Sequence, residues 1–214
     1  MTSQKLIILG PGVFGEEVKD IIDDCEGLEA VGFAENLDQD KVPGLLHGLP
    51  VLWVDDLVSL APECRAVCAI GTTRRSRFVE QVEKLGLDFT TVRHPTARVS
   101  RTSRLGEGTI LSVGNIVAAH TVLGRHVIVN RGCLIGHHTE IGDYVTVSPG
   151  ANIGGRVRIG DRCYIGMGAT ILNDITVGEG SIIGAGSVVT RDVPARVQVL
   201  GIPARVTKED VDPL

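Results

Sequence analysis

The chain has 214 residues, enough for one large domain or two small ones, and a net charge of −5. Aromatic residues make up only 3% of it, while 43% is hydrophobic and 27 residues are glycine, which excludes an ordinary helical bundle or sandwich built around aromatic side chains. The acidic balance gives no basis for binding nucleic acid, and no apolar run reaches the roughly 18 residues that suggest a membrane span.

The first half of the chain alternates strand and helix patterns. Apolar runs predict strands at 5–9, 30–34, 51–54, 66–70 and 88–92. Helical spacing or a capping signal predicts helices at 16–24, 55–60 and 76–84. This alternation predicts a small Rossmann-like α/β domain with a parallel sheet, which we expect to cover residues 1–95.

A glycine-rich turn follows the first predicted strand. Gly10, Gly12 and Gly15 form a GxGxxG pattern between that strand and the next helix, a context in which backbone N–H groups cradle a phosphate. A tight turn without a ligand would need the same glycines. The other candidate nucleotide contacts lie in this turn and after two later strands: Val13, Phe14, Glu35, Asn36, Gly71 and Thr72.

The second half of the chain is a strict hexapeptide repeat. Every sixth residue from Val99 to Val189 is Val, Leu or Ile, which gives sixteen repeats without a break in register. Glycine directly follows most of these positions. A fixed hexapeptide period predicts a parallel β-helix in which aliphatic side chains fill a narrow triangular prism. We expect this domain, with a short C-terminal tail, to cover residues 96–214.

The cysteines and the N-terminal sequence indicate the expected cellular location of the protein. The five cysteines are odd in number and lack paired metal-ligand spacing, so we expect reduced thiols and no bound metal. The start MTSQKLIILG lacks the basic region and long apolar segment of a secretory signal. We therefore expect a soluble, cytoplasmic protein without membrane insertion.

These motifs together resemble a known family. The [LIV]-G-x-x-x-x repeat, the sequence GPGVFGEEV, the junction RHPTA at 93–97 and the closing GIPAR at 201–205 are similar to the sialic-acid O-acetyltransferase-like family of left-handed β-helix acyltransferases. That family includes N-acetyltransferases of nucleotide-linked amino sugars. The resemblance implies a homotrimer with acetyl-CoA bound between neighbouring prisms, and an N-terminal domain that binds the nucleotide of the acceptor.

The same resemblance implies the residues that act on the acetyl group. The segment GHHTEIG at 136–142 puts His137 at the position of the general base, since an imidazole can take a proton from the acceptor and pass it to the departing thiolate. The acidic residue that follows the base in the family is His138 here. A second family histidine is Thr146, and Asn130 matches an asparagine near the site. We expect His138 and Thr146 to contact the acceptor, and Asn130, a backbone carbonyl or a neighbouring chain to orient His137.

The family pattern also implies a path for CoA. Its pantetheine arm would run along Gly155, Met167 and Ala185, and Arg205 is a candidate for its phosphates. Ordinary packing at the corners of the prism would explain the first three residues equally well.

Several activities remain open at this point. The leading hypothesis is acetyl-CoA-dependent N-acetylation of a nucleotide-linked amino sugar, with a 4-amino-4,6-dideoxy sugar expected, and the nearest alternative is O-acetylation of a sialic-acid-like sugar. A metal-dependent enzyme of the carbonic anhydrase type would need His120, His126 and His138 to meet around zinc across a trimer interface. A non-catalytic hexapeptide scaffold is the remaining class.

Overall fold

The computed structural model describes residues 3–42, 44–61 and 63–212. The chain forms two compact units. The first, called the N-terminal unit, consists of the chain up to Gly71 together with Arg75–Val92; the second, called the prism, consists of Thr72–Arg74 and the chain from Arg93 onward. Within the described ranges, no helix has the length and apolar character needed to cross a membrane.

The N-terminal unit contains a five-stranded sheet. Its strands, in the spatial order β3-β4-β2-β1-β5, are β1 (Gln4–Leu9), β2 (Leu28–Glu35), β3 (Leu45–Leu46), β4 (Leu49–Trp53) and β5 (Cys64–Cys68). All neighbours except β3 and β4 pair in parallel, which confirms the predicted parallel sheet. The chain also has the α-helices α1 (Val13–Asp23) and α2 (Ser76–Lys84), and 3-10 helices at Gln39–Lys41, Val54–Ser59 and Thr73–Arg75.

Two features of this unit differ from the sequence prediction. The prediction missed β3, an antiparallel edge strand joined to β4 by the two-residue turn His47-Gly48. Both turn residues have positive φ, 49° and 77°, which matches the twist of a hairpin. The strand predicted at 88–92 is reduced to a single bridge from Phe89 to Ala66 and the two-residue strand β6 (Val92–Arg93).

The prism is built from sixteen two-residue strands, each of which ends on one of the repeated aliphatic residues. Fourteen of these residues are buried, while Val99 and Leu105 in the first coil are half-buried. The left-handed parallel β-helix is thereby confirmed. Its strands β7–β22 are Arg98–Val99, Arg104–Leu105, Ile110–Leu111, Ile116–Val117, Val122–Leu123, Ile128–Val129, Leu134–Ile135, Glu140–Ile141, Thr146–Val147, Asn152–Ile153, Arg158–Ile159, Tyr164–Ile165, Thr170–Ile171, Thr176–Val177, Ile182–Ile183 and Val188–Val189.

These strands stack into three faces. Face A contains every third strand from β7 to β22, face B every third strand from β8 to β20, and face C every third strand from β9 to β21. Face C continues into the antiparallel pair β23 (Gln198–Gly201) and β24 (Ala204–Lys208). Stacked strands pair residues 18 apart, as Ile116 pairs with Leu134. In the coil at 134–151, residues 136–139 form the A–B corner, 142–145 the B–C corner and 148–151 the C–A corner.

Side chains at the corners hold successive coils in register. The backbone N–H of Arg125 donates to Oδ1 of Asp143 (2.7 Å), and the N–H of Asp143 donates to Oδ1 of Asp161 (2.8 Å). Each carboxylate thus satisfies a backbone donor from the preceding coil, which supplements the hydrogen bonds of the sheets. These bonds therefore tie successive coils together along the B–C corner.

Candidate functional site

His137 lies on the A–B corner with its side chain exposed. Its Nδ1 is 3.1 Å from Nδ1 of His138, and the two rings meet edge to face at 86°. The centroid of the His138 ring in turn lies 4.7 Å from the centroid of the His120 ring, one coil earlier. We call these three residues the histidine cluster.

Gly155 lies under the His137 ring, one coil later on the same corner. A Cβ atom at this position would come within 2.8 Å of both Cε1 and Nε2 of His137, so the imidazole would have to shift from this place. The N–H of Gly155 donates to Oδ1 of Asn173 (2.8 Å), and its carbonyl accepts from the N–H of Asp174 (3.0 Å). Both polar groups of the Gly155 backbone thus have partners within the chain.

An ion pair that the sequence analysis missed lies next to His137. Arg156 donates from Nε to Oδ1 of Asp174 (2.5 Å) and from Nη2 to Oδ2 (2.7 Å). The hydrogen bond from Arg156 lowers the pKa of the Asp174 carboxyl, and the nearby His137 lowers it further. Asp174 therefore places a fixed negative charge near the imidazole while both of its oxygens are held by Arg156. The spacing of 18 residues from 138 to 156 and 174 is the sequence signal that could have found this pair.

A groove lies beside this corner on face A. Its volume is about 500 Å³, and it is lined by Asn152, Gly154, Thr170, Ile171, Leu172 and Asn173. Leu172 is 46% exposed, so the groove offers an apolar side chain as well as amide groups. It is suited to an extended chain that carries both methylene and amide groups.

Other predicted site residues lie on a different corner of the prism. Asn130, Met167 and Ala185 are all on C–A corners, and the Asn130 amide donates to the carbonyl of Val147 (3.3 Å). Met167 is 60% exposed, and Ala185 is exposed one coil later. Within one chain, the contact to Nδ1 of His137 comes from His138, and Asn130 is one prism face away.

The two remaining prism residues are also separate from the histidine cluster. Thr146 is buried in face C on β15. Arg205 is exposed on β24, where its Nη1 donates to the carbonyl of Ala204 (2.8 Å). Their contacts with acceptor or CoA stay predictions.

In the N-terminal unit, the glycines of the glycine-rich turn have two different roles. A Cβ at Gly15 would lie 2.1 Å from the carbonyl oxygen of Gly10, so the fold itself requires glycine there. Gly12 is the N-cap of α1 with an ordinary φ of −93°, and a Cβ there would meet nothing within 4 Å. Val13 is 83% exposed and Phe14 is half-buried. The open side of the turn is therefore at Gly12 and Val13.

The loop after β2 is organised by its own polar side chains. Oε1 of Glu35 accepts the backbone N–H groups of Asn36 and Leu37, both at 2.7 Å. The side-chain amide of Asn36 donates to Oε1 of Gln81 on α2 (3.0 Å), a partner that the sequence analysis missed. Further along the chain, Gly71 is half-buried and Thr72 is exposed.

The histidines of the metal alternative occupy two corners. His120 and His138 are in contact on the A–B corner, whereas His126 lies on the B–C corner and stacks on Tyr144 with ring centroids 5.2 Å apart. Within residues 3–42, 44–61 and 63–212, no group of three His, Cys, Asp or Glu side chains is placed to hold a metal ion.

Both units match known sequence families. Residues 120–155, 138–173 and 156–191 match the bacterial transferase hexapeptide family (six repeats). Residues 5–82 match the PglD N-terminal domain. A comparison with curated protein sequences gives no match.

Several solved structures are similar over nearly the whole chain. The acetyltransferase domain of PglB from Neisseria gonorrhoeae FA1090, in complex with acetyl coenzyme A, is 30% identical, with 95% of this chain and 99% of that chain covered and a TM-score of 0.87. WeeI from Acinetobacter baumannii AYE is also 30% identical, with 95% and 100% covered and a TM-score of 0.83.

A third similar structure contains two ligands. It is a variant of perosamine N-acetyltransferase from Caulobacter crescentus in which one histidine is replaced by asparagine, in complex with CoA and GDP-perosamine. It is 28% identical, with 96% of this chain and 97% of that chain covered and a TM-score of 0.88. As the sequence resemblance predicts, the chain belongs to the left-handed β-helix, hexapeptide-repeat acyltransferases of the nucleotide-aminosugar N-acetyltransferase type.

Proposed function

We propose that the protein transfers the acetyl group of acetyl-CoA to the amino group of a nucleotide-linked amino sugar, in the cytoplasm, with His137 as general base. The observation that carries the proposal is the placement of His137, an exposed imidazole that contacts His138 on a corner beside an open groove. The complexes of similar proteins with CoA and GDP-perosamine, or with acetyl coenzyme A, support the choice of the two substrates.

The chemistry needs one group that can both take and return a proton. The amine nitrogen of the sugar attacks the thioester carbonyl carbon, and Nε2 of His137 takes a proton from that nitrogen. The C–S bond then breaks, and the departing thiolate receives the proton from Nε2. Asp174, already paired with Arg156, is the carboxylate near this imidazole.

The division of the predicted site between two corners supports a homotrimer. His137 and Gly155 lie on the A–B corner, whereas Asn130, Met167 and Ala185 lie on the C–A corner of the same prism. A single prism keeps these two groups apart, but the A–B corner of one copy can face the C–A corner of a neighbour. We therefore place acetyl-CoA between two copies of the chain, with Arg205 as the candidate contact for its phosphates.

For the N-terminal unit, we propose a role in binding the nucleotide of the acceptor. The open turn at Gly12 and Val13 leads into α1, an 11-residue helix whose first N–H groups are available to an anion. The neighbouring candidates are Gly10, Phe14, Glu35, Asn36, Gly71 and Thr72. Since Glu35 already holds its own loop, its second oxygen is the one we assign to the ligand.

The experiment that tests the function compares matched acceptors. Acetyl-CoA is incubated with 4-amino-4,6-dideoxy sugars linked to GDP or UDP, and the released thiol is measured. The same nucleotides carrying the 4-hydroxy sugar are tested in parallel. We expect thiol release with an amino sugar and none with its hydroxy counterpart. Thiol release with the hydroxy sugar alone would indicate O-acetylation instead of N-acetylation. No thiol release with any of these acceptors would overturn the proposed function.

The glycine-rich turn offers a matched pair of variants. Gly12→Ala should lower the melting temperature only slightly, since its Cβ meets open space and Ala is a poorer N-cap than Gly, but raise the KM for the nucleotide sugar if a phosphate approaches there. Gly15→Ala should lower the melting temperature by several degrees, about what a loss of 1 kcal/mol or more produces, because its Cβ collides with the Gly10 carbonyl. An unchanged KM in Gly12→Ala would remove this turn from the binding site.

A further inference from the structure

We propose that His138 is a positioning residue that fixes the tautomer of His137, an inference that rests on the proposed role of His137 as base. The geometry behind it is the 3.1 Å contact between the two Nδ1 atoms. A hydrogen bond between two imidazole nitrogens needs one N–H donor and one lone-pair acceptor. The contact therefore links the tautomer of one ring to the tautomer of the other.

Only one of the two arrangements leaves His137 able to act. If Nδ1 of His137 donates, its Nε2 carries a lone pair and can accept a proton from the acceptor amine. If Nδ1 of His137 accepts instead, its Nε2 carries the hydrogen and is useless as a base. In the productive arrangement, Nδ1 of His138 is the acceptor and Nε2 of His138 carries the hydrogen.

The surroundings hold His138 in position for this task. Its backbone is left-handed, with φ of +57°, and its N–H donates to the carbonyl of Ala119 (2.9 Å) in the preceding coil. Its ring packs against His120 on one side and meets the edge of His137 on the other. The ring is therefore fixed by contacts on two sides, as a positioning group must be.

The other polar groups near His137 already have partners. Asp174, the nearby carboxylate, has both oxygens on the guanidinium of Arg156. The N–H and carbonyl of Gly155 pair with Asn173 and Asp174. His138 is thus the side chain that contacts Nδ1 of His137 and can orient its ring.

The test uses variants that differ in the acceptor atom alone. Oδ1 of Asn is attached to Cγ, as Nδ1 of His is, and Asn tolerates a positive φ. His138→Asn and His138→Asp should therefore retain most of the wild-type kcat, with Asn Oδ1 or an Asp carboxylate oxygen as acceptor. His138→Ala should lower kcat about tenfold to a hundredfold, as the loss of an orienting partner does elsewhere, with little change in the KM for acetyl-CoA.

A second variant and a second readout separate this role from a structural one. His138→Gly removes the acceptor without the strain that Ala has at a positive φ. Nitrogen-15 NMR of labelled histidine should show hydrogen on Nδ1 of His137 in the wild type and in His138→Asn, and a shift toward Nε2 in His138→Gly. A wild-type kcat and an unchanged tautomer in His138→Gly would overturn the proposal. The tautomer can be read even if no acceptor is acetylated, so failure of the proposed function would be recognised separately.

Discussion

His137→Ala should lower kcat at least about a hundredfold, the lower range for loss of a general base. Without the imidazole, no base stands at the position from which we propose that the amine proton is taken, whereas the contacts that bind both substrates remain. The KM values should therefore change little. Steady-state kinetics with saturating acetyl-CoA and the acceptor found by the thiol assay provide the measurement.

The controls for this variant address fold and assembly. The His137 side chain is exposed, so the melting temperature of the variant should match the wild type, and sedimentation should give a trimeric mass for both proteins. His47→Asn removes an exposed histidine from a hairpin turn that suits Asn, and its turnover should equal the wild type. Near-normal turnover of His137→Ala would dismiss His137 as the base.

Gly155→Ala should lower kcat about tenfold to a hundredfold, since a displacement of about 1 Å in a reacting group can cost a hundredfold. The new methyl group would lie 2.8 Å from Cε1 and Nε2 of His137, so the ring must move away from its place on the corner. Gly44→Ala is the matched control, because its Cβ meets nothing within 4 Å. Its kcat should stay at the wild-type value.

A double-mutant cycle shows how Gly155 acts. If its effect passes through His137, the pair His137→Ala and Gly155→Ala should have the same kcat as His137→Ala alone. If the two losses multiply, Gly155 has an independent role, such as the direct contact with the pantetheine arm that the family pattern implies. An unchanged kcat in the single variant Gly155→Ala would contradict the packing of the imidazole over this glycine.

The repeat made the prism predictable from the sequence. Each coil repeats the one before it, so one period identifies the repeated aliphatic positions from Val99 to Val189, and each of these residues ends a strand in the structure. The N-terminal unit was less regular. Its parallel sheet was predictable from the alternation of strands and helices. The edge strand β3 was not predictable, because its two residues are too few to show a period and it forms by pairing with β4.

The candidate site could be located in the sequence, but its contacts could not. His137 was identified by its segment, since a motif is local. The glycine under its ring and the ion pair of Arg156 with Asp174 come from later coils and depend on the stacking of residues 18 apart. The separation of Asn130 from His137, although they are seven residues apart in the chain, likewise depends on which corner each residue occupies.

The sequence by itself thus determined the fold, the two kinds of domain and the corner that carries His137, the proposed base. The tertiary structure decided which glycine serves the fold and which is open to a ligand, and which side chain touches His137. The physical reason is that burial repeats with the period of the coil and can be read along the chain. The spacing of 18 residues shows, in contrast, only which residues stack, and the direction of each side chain depends on packing that no sequence period records.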